Sequence, residues 1–426
     1  MFLKNAKPVS ISLSPNAERD DVALALKLIF QPWKWKKGKA IEKIEEEFKK
    51  YQGAKYAVSF NSGRSSFYAI LKSLNLPAGS EILLQAFTCN AVPNPILWAG
   101  LTPIFVDCDE NNFNIDIEDL KSKITKNSKA VVVQHTFGLP ALMEEILKIC
   151  QENNLILIED CAHSLGAEYD NKRVGTFGKV AFFSFSRDKV ISSVYGGMAV
   201  TNDEKIGEAL RQAQCKMGFP NLFWIFQQLL HPVLLNYIVL PVYNFLDLGK
   251  IVLIFSQWTH VLSKAVHWKE KRGKMPDYFP RAFPNALAIL AINQFEKLDR
   301  FYRHRRKISE IYYNALKNGK FEVFEELNPQ YLDSIKGKHS YLRFTVKHKK
   351  AHEIIYESWH KENILVGDWY TSPVAPFDTK LDKVGYKKGT CPKAERLSDI
   401  TFNLPTHIGI TPETASRILT KMSGML

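Results

Sequence analysis

The sequence predicts an α/β fold, with a mainly parallel sheet in a large domain and a smaller α/β domain at the C-terminal end. From residue 81 to residue 160, short apolar runs of strand length alternate with stretches of helical periodicity. Helical connections of that length favour right-handed βαβ crossovers, which place neighbouring strands parallel. The 426 residues, 46% of them hydrophobic, are enough for two domains with a sizeable core.

The N-terminal part is predicted to be helical and then to enter the sheet. Apolar residues at helical spacing indicate helices over 20–30 and 39–51. A strand is expected at Tyr56–Phe60, followed by a tight turn over 61–64 and a helix over 65–74. A strand, a glycine turn and a helix N-terminus leave backbone N–H groups free for a phosphate, although an ordinary capped helix gives the same pattern.

The alternation continues along the chain. We expect strands at 81–85, 103–109, 130–136, 155–158 and 180–183, and helices at 91–99, 116–124 and 141–154. The C-terminal domain is expected to have a helix at 304–317, a strand at 341–347 and a helix at 351–364. Ligands of parallel sheets bind at the carboxyl ends of the strands. Thr88, Asp160, Ser184 and the Gly63 turn are therefore expected to meet at one edge of the sheet.

Two of the buried strands are followed by residues that can do chemistry. Asp160 follows the strand at 155–158, and Lys189 lies shortly after the strand at 180–183. A pyridoxal 5'-phosphate (PLP) site needs such a lysine for the Schiff base and an aspartate that pairs with the pyridine nitrogen. The ordinary alternatives are a surface lysine and a helix-capping aspartate.

Charge and cysteine content narrow the partners and the compartment. The net charge of +13 suggests anionic partners, which include nucleic acid, anionic lipid and phosphorylated small molecules. No nucleic-acid reading motif is present, so nucleic acid is not expected. The six cysteines lack paired spacing and the N-terminal residues lack an apolar signal core. A cytoplasmic protein without a metal site is therefore predicted.

A hydrophobic insertion is expected at residues 217–280. Residues 217–246 contain no charged side chain, a second uncharged run covers 251–263, and basic residues follow at Lys264, Lys269, Lys271, Arg272 and Lys274. Crossing a membrane takes about 20 apolar residues, so the second run is too short, and Pro232 and Pro241 are expected to interrupt the first. Helices lying in one leaflet would contact an anionic membrane surface through 217–274, while the alternative is a subunit interface or an extra layer over the core.

Several motifs, in order, resemble those of one family: NSGRSSFYAIL, PIFVDCDENNFNIDIEDL, VVVQHTFGLPA, LIEDCAHSLGAEYDNKRVGTFG, FFSFSRDK and GGMAVT, with further likeness from about Asn285 to the end. The chain is similar to the DegT/DnrJ/EryC1/StrS family of PLP-dependent sugar aminotransferases, which have the aspartate-aminotransferase fold. The resemblance implies a PLP-binding large domain at 1–284 that contains the insertion, and a small domain at 285–426.

The resemblance also implies roles for single residues. Lys189 would form the Schiff base and shuttle the proton. The cofactor-binding residues would be Asp160, His163, Ser184, Gly63, Arg64, Ser65, Phe87 and Cys89. Four features depart from the family. Arg64 replaces a usual Thr or Ser, and Cys89 replaces a ring-stacking aromatic and leaves Phe87 as its substitute. The familiar Gly-Glu-Gly-Gly becomes residues 194–197, Val-Tyr-Gly-Gly, and the segment that reaches the neighbouring subunit's cofactor has no clear match except near Arg281.

The function implied is transfer of an amino group from an amino acid, with glutamate as the expected donor, to a keto-sugar on a nucleotide or polyprenyl diphosphate carrier. Such a reaction belongs to amino-sugar and surface-polysaccharide biosynthesis. The expected assembly is a cytoplasmic homodimer, peripheral on the membrane if the insertion contacts lipid. Because relatives with histidine in place of the lysine carry out dehydration, Lys189 favours transamination. The alternative is a membrane-associated PLP-fold scaffold or regulator without turnover.

Overall fold

The computed structural model describes residues 7–317, 319, 321, 332–333 and 336–425. Seven strands form the central sheet: β1 Tyr56–Phe60, β2 Glu81–Gln85, β3 Thr102–Val106, β4 Ser128–Gln134, β5 Ile156–Asp160, β6 Val180–Ser184 and β7 Gly197–Thr201. Their spatial order is β1-β7-β6-β5-β4-β2-β3. Strand β7 is antiparallel to both neighbours and the other pairs are parallel. The predicted α/β class with a mainly parallel sheet is confirmed.

Helices cover the sheet and build the rest of the chain. They are α1 Arg19–Ile29, α2 Lys39–Gln52, α3 Gly63–Ser73, α4 Pro93–Trp98, α5 Ile117–Lys123, α6 Met143–Glu152, α7 Glu204–Met217, α8 Leu222–Leu234, α9 Leu248–Trp258, α10 Asn285–Phe295, α11 Leu298–Leu316, α12 Ala351–Glu362, α13 Pro392–Ile400 and α14 Pro412–Ser423. Short 3₁₀ turns lie at Pro32–Lys34, Thr136–Gly138, Glu270–Arg272 and Leu381–Val384.

The C-terminal part joins the large sheet at the edge where a site was expected. Its own strands, β8 Phe344–Lys347 and β9 Thr401–Leu404, pair antiparallel. A separate short strand, Val374–Ala375, runs parallel to Thr88–Cys89, which follows β2. This pairing brings the C-terminal part against the carboxyl edge of the large sheet.

Among the boundaries that differ from those read in the sequence, three affect the site. Helix α3 begins at Gly63 rather than at residue 65, because Ser62 caps it by accepting a hydrogen bond from the Ser65 N–H. Strands β5 and β6 extend through Asp160 and Ser184. Both side chains therefore lie on the last residue of a strand, at the carboxyl edge, and Gly63 belongs to the first turn of a helix.

The insertion forms two helices with different environments. The expectation that Pro232 interrupts the first run is wrong: Pro232 lies inside α8, which continues into a π-helical turn, Leu235–Val239. A proline inside a helix removes one backbone hydrogen bond, so the turns on either side of Pro232 depend on side-chain packing. Within the described residues one helical stretch, Leu222–Val239, is long and apolar enough to cross a membrane, and half of it is buried in the protein. Helix α9, in contrast, buries only Gly249 and Ser256.

Candidate active site

A cavity of about 190 Å³ opens at the carboxyl edge of the sheet. Most of the residues singled out in the sequence line it: Gly63, Arg64, Cys89, Asp160, His163, Ser184 and Lys189. Ser65 and Phe87 are not part of its lining. Side chains that are far apart in the chain thus converge where parallel sheets bind ligands.

Asp160, at the end of β5, presents a buried carboxyl group to this cavity. Its Oδ1 accepts a hydrogen bond from the Ala162 N–H at 2.9 Å. Burial raises its pKa to about 6, although that hydrogen bond and the charge of Lys189 act in the opposite direction. Burial removes the water that would stabilise the charged carboxylate. A positively charged ring nitrogen would stabilise that charge instead, so this carboxylate suits a protonated pyridine.

Glu159, next to Asp160, serves the fold rather than the cavity. Successive strand residues point to opposite faces of a sheet. The fully buried Glu159 carboxylate accepts the backbone N–H groups of Gly175 at 2.7 Å, Phe177 at 2.8 Å and Gly178 at 2.6 Å. It therefore fixes the turn before β6 and, with it, the spacing of β5 and β6.

Lys189 lies in the loop after β6, with its amine beside an indole. The Lys189 carbonyl accepts a hydrogen bond from Asn16 Nδ2 at 2.5 Å, and its Nζ lies 4.4 Å from the centroid of the Trp369 ring. Burial lowers the pKa of Lys189, while the charges of Asp188 and Asp160 partly offset this effect. A lower pKa increases the fraction of neutral amine, which is the form that attacks a carbonyl or accepts a proton.

His163 is held as a neutral ring in the cavity wall. It stacks between Phe137 at 5.9 Å and Trp369 at 5.1 Å. Its Nδ1 accepts the Phe137 N–H at 3.2 Å, so Nε2 carries the hydrogen and donates it to Tyr370 Oη at 3.3 Å. Burial and the charges of Lys189 and Arg343 lower its pKa well below the ordinary value.

The N-terminus of α3 supplies the phosphate-binding geometry predicted from the glycine turn. In the described part of the chain the Gly63 and Arg64 N–H groups donate to no protein acceptor. A Cβ on Gly63 would lie 3.1 Å from that of Ser184, so the turn and the end of β6 approach closely. Ser65, also expected to bind the cofactor, uses both of its donors inside the turn: its N–H donates to Ser62 Oγ at 3.0 Å and its hydroxyl to Asn61 Oδ1 at 2.7 Å.

Arg64 directs its side chain away from the open end of this turn. Its Nη1 pairs with the fully buried carboxylate of Glu270, and its Nη2 donates to the Ala265 carbonyl at 3.2 Å. The guanidinium also lies 4.7 Å from the Phe279 ring centroid. Burial alone would lower the pKa of Arg64, but the Glu270 carboxylate raises it above its ordinary value.

The two candidates for a ring-stacking position differ in location. Cys89 lines the cavity, and burial raises the pKa of its thiol. Phe87 is fully buried and stacks on Phe113 at 5.3 Å, outside the cavity lining. Besides His163, the aromatic side chains in the lining are instead Phe182, Tyr195, Trp369, Tyr370 and Phe377. The structure thus gives Phe87 a packing position and not the substitute role that was expected for it.

Several site residues were missed in the sequence. Arg343 stands inside an otherwise apolar strand segment, which marks an unusual residue, and its guanidinium packs 3.4 Å from the Trp369 ring centroid. Ala265 and Val266 line the cavity from the C-terminal end of the insertion, and no sequence signal places them there.

Comparison with known proteins identifies the family to which this site belongs. The DegT/DnrJ/EryC1/StrS aminotransferase family model matches residues 16–223 and 264–423. The chain is 37% identical to GDP-perosamine synthase of Escherichia coli O157:H7 over 174 residues, which cover 41% of this chain and 48% of that protein. The chain therefore spans about half the length of that curated relative.

Solved structures show the same fold. Helicobacter pylori PseC, an aminotransferase involved in the biosynthesis of pseudoaminic acid, superposes with a TM-score of 0.74 at 22% identity, covering 98% of this chain and 99% of that one. The E. coli GDP-4-keto-6-deoxy-D-mannose-3-dehydratase with bound hydrated PLP gives a TM-score of 0.72 at 23% identity, with 99% of each chain covered. The fold is thus that of the aspartate-aminotransferase-like PLP proteins. Within this class, the chain belongs to the DegT/DnrJ/EryC1/StrS aminotransferase family.

The residues present fit PLP, the cofactor of this family. Free N–H groups at the start of α3 and the Ser184 hydroxyl suit the phosphate. The buried Asp160 carboxylate suits the ring nitrogen, and the Lys189 amine lies in the same cavity. The lining of the cavity therefore offers a candidate partner for the phosphate, for the ring nitrogen and for the aldehyde carbon of this group.

Proposed function

We propose that the protein is a PLP-dependent sugar aminotransferase. The observation that carries this proposal is the convergence of Lys189, Asp160 and the free N-terminus of α3 in one cavity. A scaffold without turnover has no physical need to keep a lysine amine and a carboxylate buried together, since each loses hydration there. Lys189 in place of histidine also favours transamination over dehydration.

Each residue has a role that follows from its environment. When bound, PLP supplies an electron-withdrawing ring that stabilises negative charge at the carbon that loses a proton. Asp160 keeps the ring nitrogen protonated by providing its counter-charge. The neutral Lys189 amine takes the proton from the donor carbon and returns one to the sugar carbon, as a general base and then a general acid. His163 stays neutral and holds the cavity wall between Phe137 and Trp369.

The assignment is tested with Lys189→Ala. Reduction of the loaded wild-type protein with borohydride should attach the cofactor to the peptide that contains Lys189, detected by mass spectrometry. The variant should lose this attachment and at least about a thousandfold in aminotransfer, as is usual when a catalytic group is removed. Unchanged aminotransfer by Lys189→Ala would rule out the assignment.

We infer glutamate as the amino donor and a keto-sugar on a nucleotide or polyprenyl diphosphate as the acceptor, in amino-sugar and surface-polysaccharide biosynthesis. The basic charge of the chain suits a diphosphate-bearing substrate. Mass spectrometry of products from a panel of nucleotide-linked and polyprenyl-linked keto-sugars, each with glutamate, distinguishes the carriers. If no acceptor and no donor changes the cofactor's absorption, the protein is a PLP-fold scaffold without turnover and not an aminotransferase.

We further propose that the protein works as a homodimer on the cytoplasmic side of a membrane, which it contacts through residues 217–274. Support for the membrane contact comes from α9. Its exposed apolar residues recur at helical spacing and form one stripe: Leu248, Ile251, Ile254, Phe255 and Trp258, of which the last is 73% exposed. A helix that turns such a stripe to solvent has the pattern of an interfacial helix.

The charge next to this stripe favours an anionic bilayer as its partner. Residues 217–280 contain six basic and three acidic side chains. Two of the acidic groups, Asp247 and Asp277, pair with lysines, and the third, Glu270, is buried. Lys264 and Lys274 are exposed and have no acidic partner among the described residues. Each such cation near an anionic surface contributes about 1 kcal/mol of binding.

Vesicle sedimentation tests this contact. Wild-type protein should sediment with phosphatidylglycerol vesicles and less with phosphatidylcholine vesicles. Trp258→Ser should weaken sedimentation several-fold, whereas Trp33→Ser, an equally exposed tryptophan outside the insertion, should not. Light scattering on the wild-type protein and both variants in the absence of vesicles should give twice the 48.7 kDa of one chain. A Trp258→Ser protein that becomes monomeric and still sediments would make the stripe a subunit interface.

A further inference from the structure

A segment at the C-terminal end of the insertion closes one side of the cavity. We call residues 263–270 the strap. Ala265 and Val266 of the strap line the cavity together with Arg64 of the α3 turn and Tyr195 before β7. The C-terminal end of the insertion therefore forms part of the cavity wall beside the α3 turn.

The strap is tied to residues around the cofactor site by polar contacts. Arg187 Nη2 donates to the Ser263 hydroxyl at 2.5 Å, and Tyr195 Oη donates to the Lys264 carbonyl at 2.7 Å. Arg64 Nη2 donates to the Ala265 carbonyl at 3.2 Å. These three donors are all partly or fully removed from water, so each hydrogen bond replaces hydration that the donor has lost.

The last residue of the strap, Glu270, carries the strongest of these ties. Its side chain is fully buried and pairs with Arg64, while its other carboxylate oxygen accepts the His267 N–H at 2.9 Å. Its backbone carbonyl accepts Asn94 Nδ2 at 2.9 Å. A buried guanidinium without this carboxylate would keep its charge and lack a counter-ion, which is a state that folded proteins avoid.

We propose that Glu270 is a positioning residue for the cofactor phosphate: by fixing Arg64, it locks the strap onto the first turn of α3 and holds that turn in its binding geometry. This rests on the proposed PLP site. Arg64 is the second residue of α3, and its own N–H is one of the two that are free for phosphate. If the Arg64 side chain moved toward solvent, it would displace the Arg64 N–H that is free for the phosphate. The same movement would open the cavity wall, because the strap would lose its tie to Arg64.

Titration of cofactor-free protein with PLP and with pyridoxal, which lacks the phosphate, tests the proposal. In Glu270→Gln, the Kd for PLP should rise at least about tenfold, in keeping with the loss of one charge-assisted interaction, and the Kd for pyridoxal should stay within about twofold. The matched control is Asp277→Asn, which breaks an exposed pair with Lys269 nearby and should change neither value. Equal weakening of both ligands would reveal a merely structural role and overturn the proposal, as would tighter PLP binding.

A double variant keeps the test decisive if Glu270→Gln folds poorly. Replacing both members of a buried pair by apolar residues leaves no unpaired charge. In Arg64→Met/Glu270→Met, which leaves no buried charge unpaired, the Kd for PLP should still rise at least about tenfold while the Kd for pyridoxal stays within about twofold. A double variant that binds PLP as tightly as the wild-type protein would overturn the proposal. A wild-type protein that binds no PLP would instead contradict the proposed function.

Discussion

Asp160 shows how a functional residue is kept at a cost to the fold. Its carboxyl group is 3% exposed and receives one backbone hydrogen bond. The charged form is therefore poorly solvated in the cofactor-free protein, and burial raises the pKa from 3.8 to about 6. A ring nitrogen that carries a proton would remove this cost, so burial of this carboxyl group favours binding of the cofactor.

Asp160→Asn should stabilise the cofactor-free protein at neutral pH while it abolishes aminotransfer. Since the folded state binds the proton more tightly, the wild-type protein loses stability as pH rises from about 4 to 6. The variant escapes this loss, which amounts to about 3 kcal/mol above pH 7 for a shift of this size. Urea unfolding at pH 4 and pH 8 measures it: the difference between the two proteins should appear only at pH 8.

Asp378→Asn is a suitable control, because Asp378 is exposed and pairs with Lys271 at the surface. Its unfolding free energy should follow that of the wild-type protein at both pH values. A stability gain for Asp160→Asn that is the same at pH 4 and pH 8 would show that packing, and not ionisation, separates the two proteins.

At this scale the sequence predicts residues that follow regular strands and misses those placed by backbone irregularities. Asp160 and Ser184 end strands with clear apolar runs, and both line the cavity as expected. Phe87 has φ = 62°, and its N–H donates to the Pro373 carbonyl at 2.8 Å. A left-handed residue breaks the alternation of side chains along the strand. The direction of the Phe87 side chain therefore depends on a contact with Pro373, which lies nearly 300 positions later in the chain.

At the scale of secondary structure, the junction of β7 with α3 sets the shape of the phosphate end. Gly197, the first residue of β7, lies against the backbone of the turn that caps α3. A Cβ at this position would be 2.5 Å from the Gly63 nitrogen and 2.6 Å from the Ser62 oxygen. Backbone atoms cannot swing aside as a side-chain end can, so the strand and the helix approach this closely only with glycine here.

Gly197→Ala should therefore damage both the fold and the cofactor site. We expect a loss of about 1–3 kcal/mol or more in the unfolding free energy, the usual cost of overpacking, and a weaker PLP affinity because the Gly63 and Arg64 N–H groups move. Differential scanning calorimetry and PLP titration measure the two effects. Gly424→Ala, whose Cβ would have no contact closer than 3.4 Å, should change neither. Normal PLP affinity in Gly197→Ala would mean that the turn does not bind the phosphate.

The elements themselves were largely predictable, with errors where tertiary contacts override local signals. Strand β1 and helices α1 and α2 have strong periodicity and were found close to their expected bounds. Helix α8 was not, because Pro232 is normally a stop signal. Its helix persists since buried contacts on one side hold the flanking turns: Trp224, Ile225 and Leu229 are all in the core. Local sequence cannot show that packing.

For the molecule as a whole, the insertion consists of one helix that belongs to the core and one that is an appendage. Trp224 of α8 packs on Tyr195 near the cavity, with ring centroids 5.4 Å apart, and Phe226 stacks on Trp35. Helix α9 makes apolar contacts chiefly with a small separate cluster, formed by Leu235, Val239 and Tyr243. The family model leaves residues 224–263 unmatched, so this region lies outside the part of the chain that resembles the family.

Two deletions of different length should therefore lower the unfolding free energy to very different extents. Replacing residues 245–258 by a short Gly-Ser linker removes α9 and should lower the unfolding free energy by no more than about 1–2 kcal/mol, the value of the few partly buried side chains that are lost. Deleting residues 219–262 also removes Trp224, Ile225 and Leu229, each of which costs about 2–5 kcal/mol when its core contacts are lost. Urea unfolding of the three proteins measures this difference.

The shorter deletion also separates catalysis from location. Because the strap and its ties to Arg64, Arg187 and Tyr195 remain, the protein without α9 should bind PLP and transfer the amino group to a soluble nucleotide-linked acceptor as the wild-type protein does. It should no longer sediment with phosphatidylglycerol vesicles, since the apolar stripe has gone. If it keeps its activity and still sediments, the membrane contact lies elsewhere on the basic surface. If it loses PLP, α9 supports the strap and the insertion cannot be divided in this way.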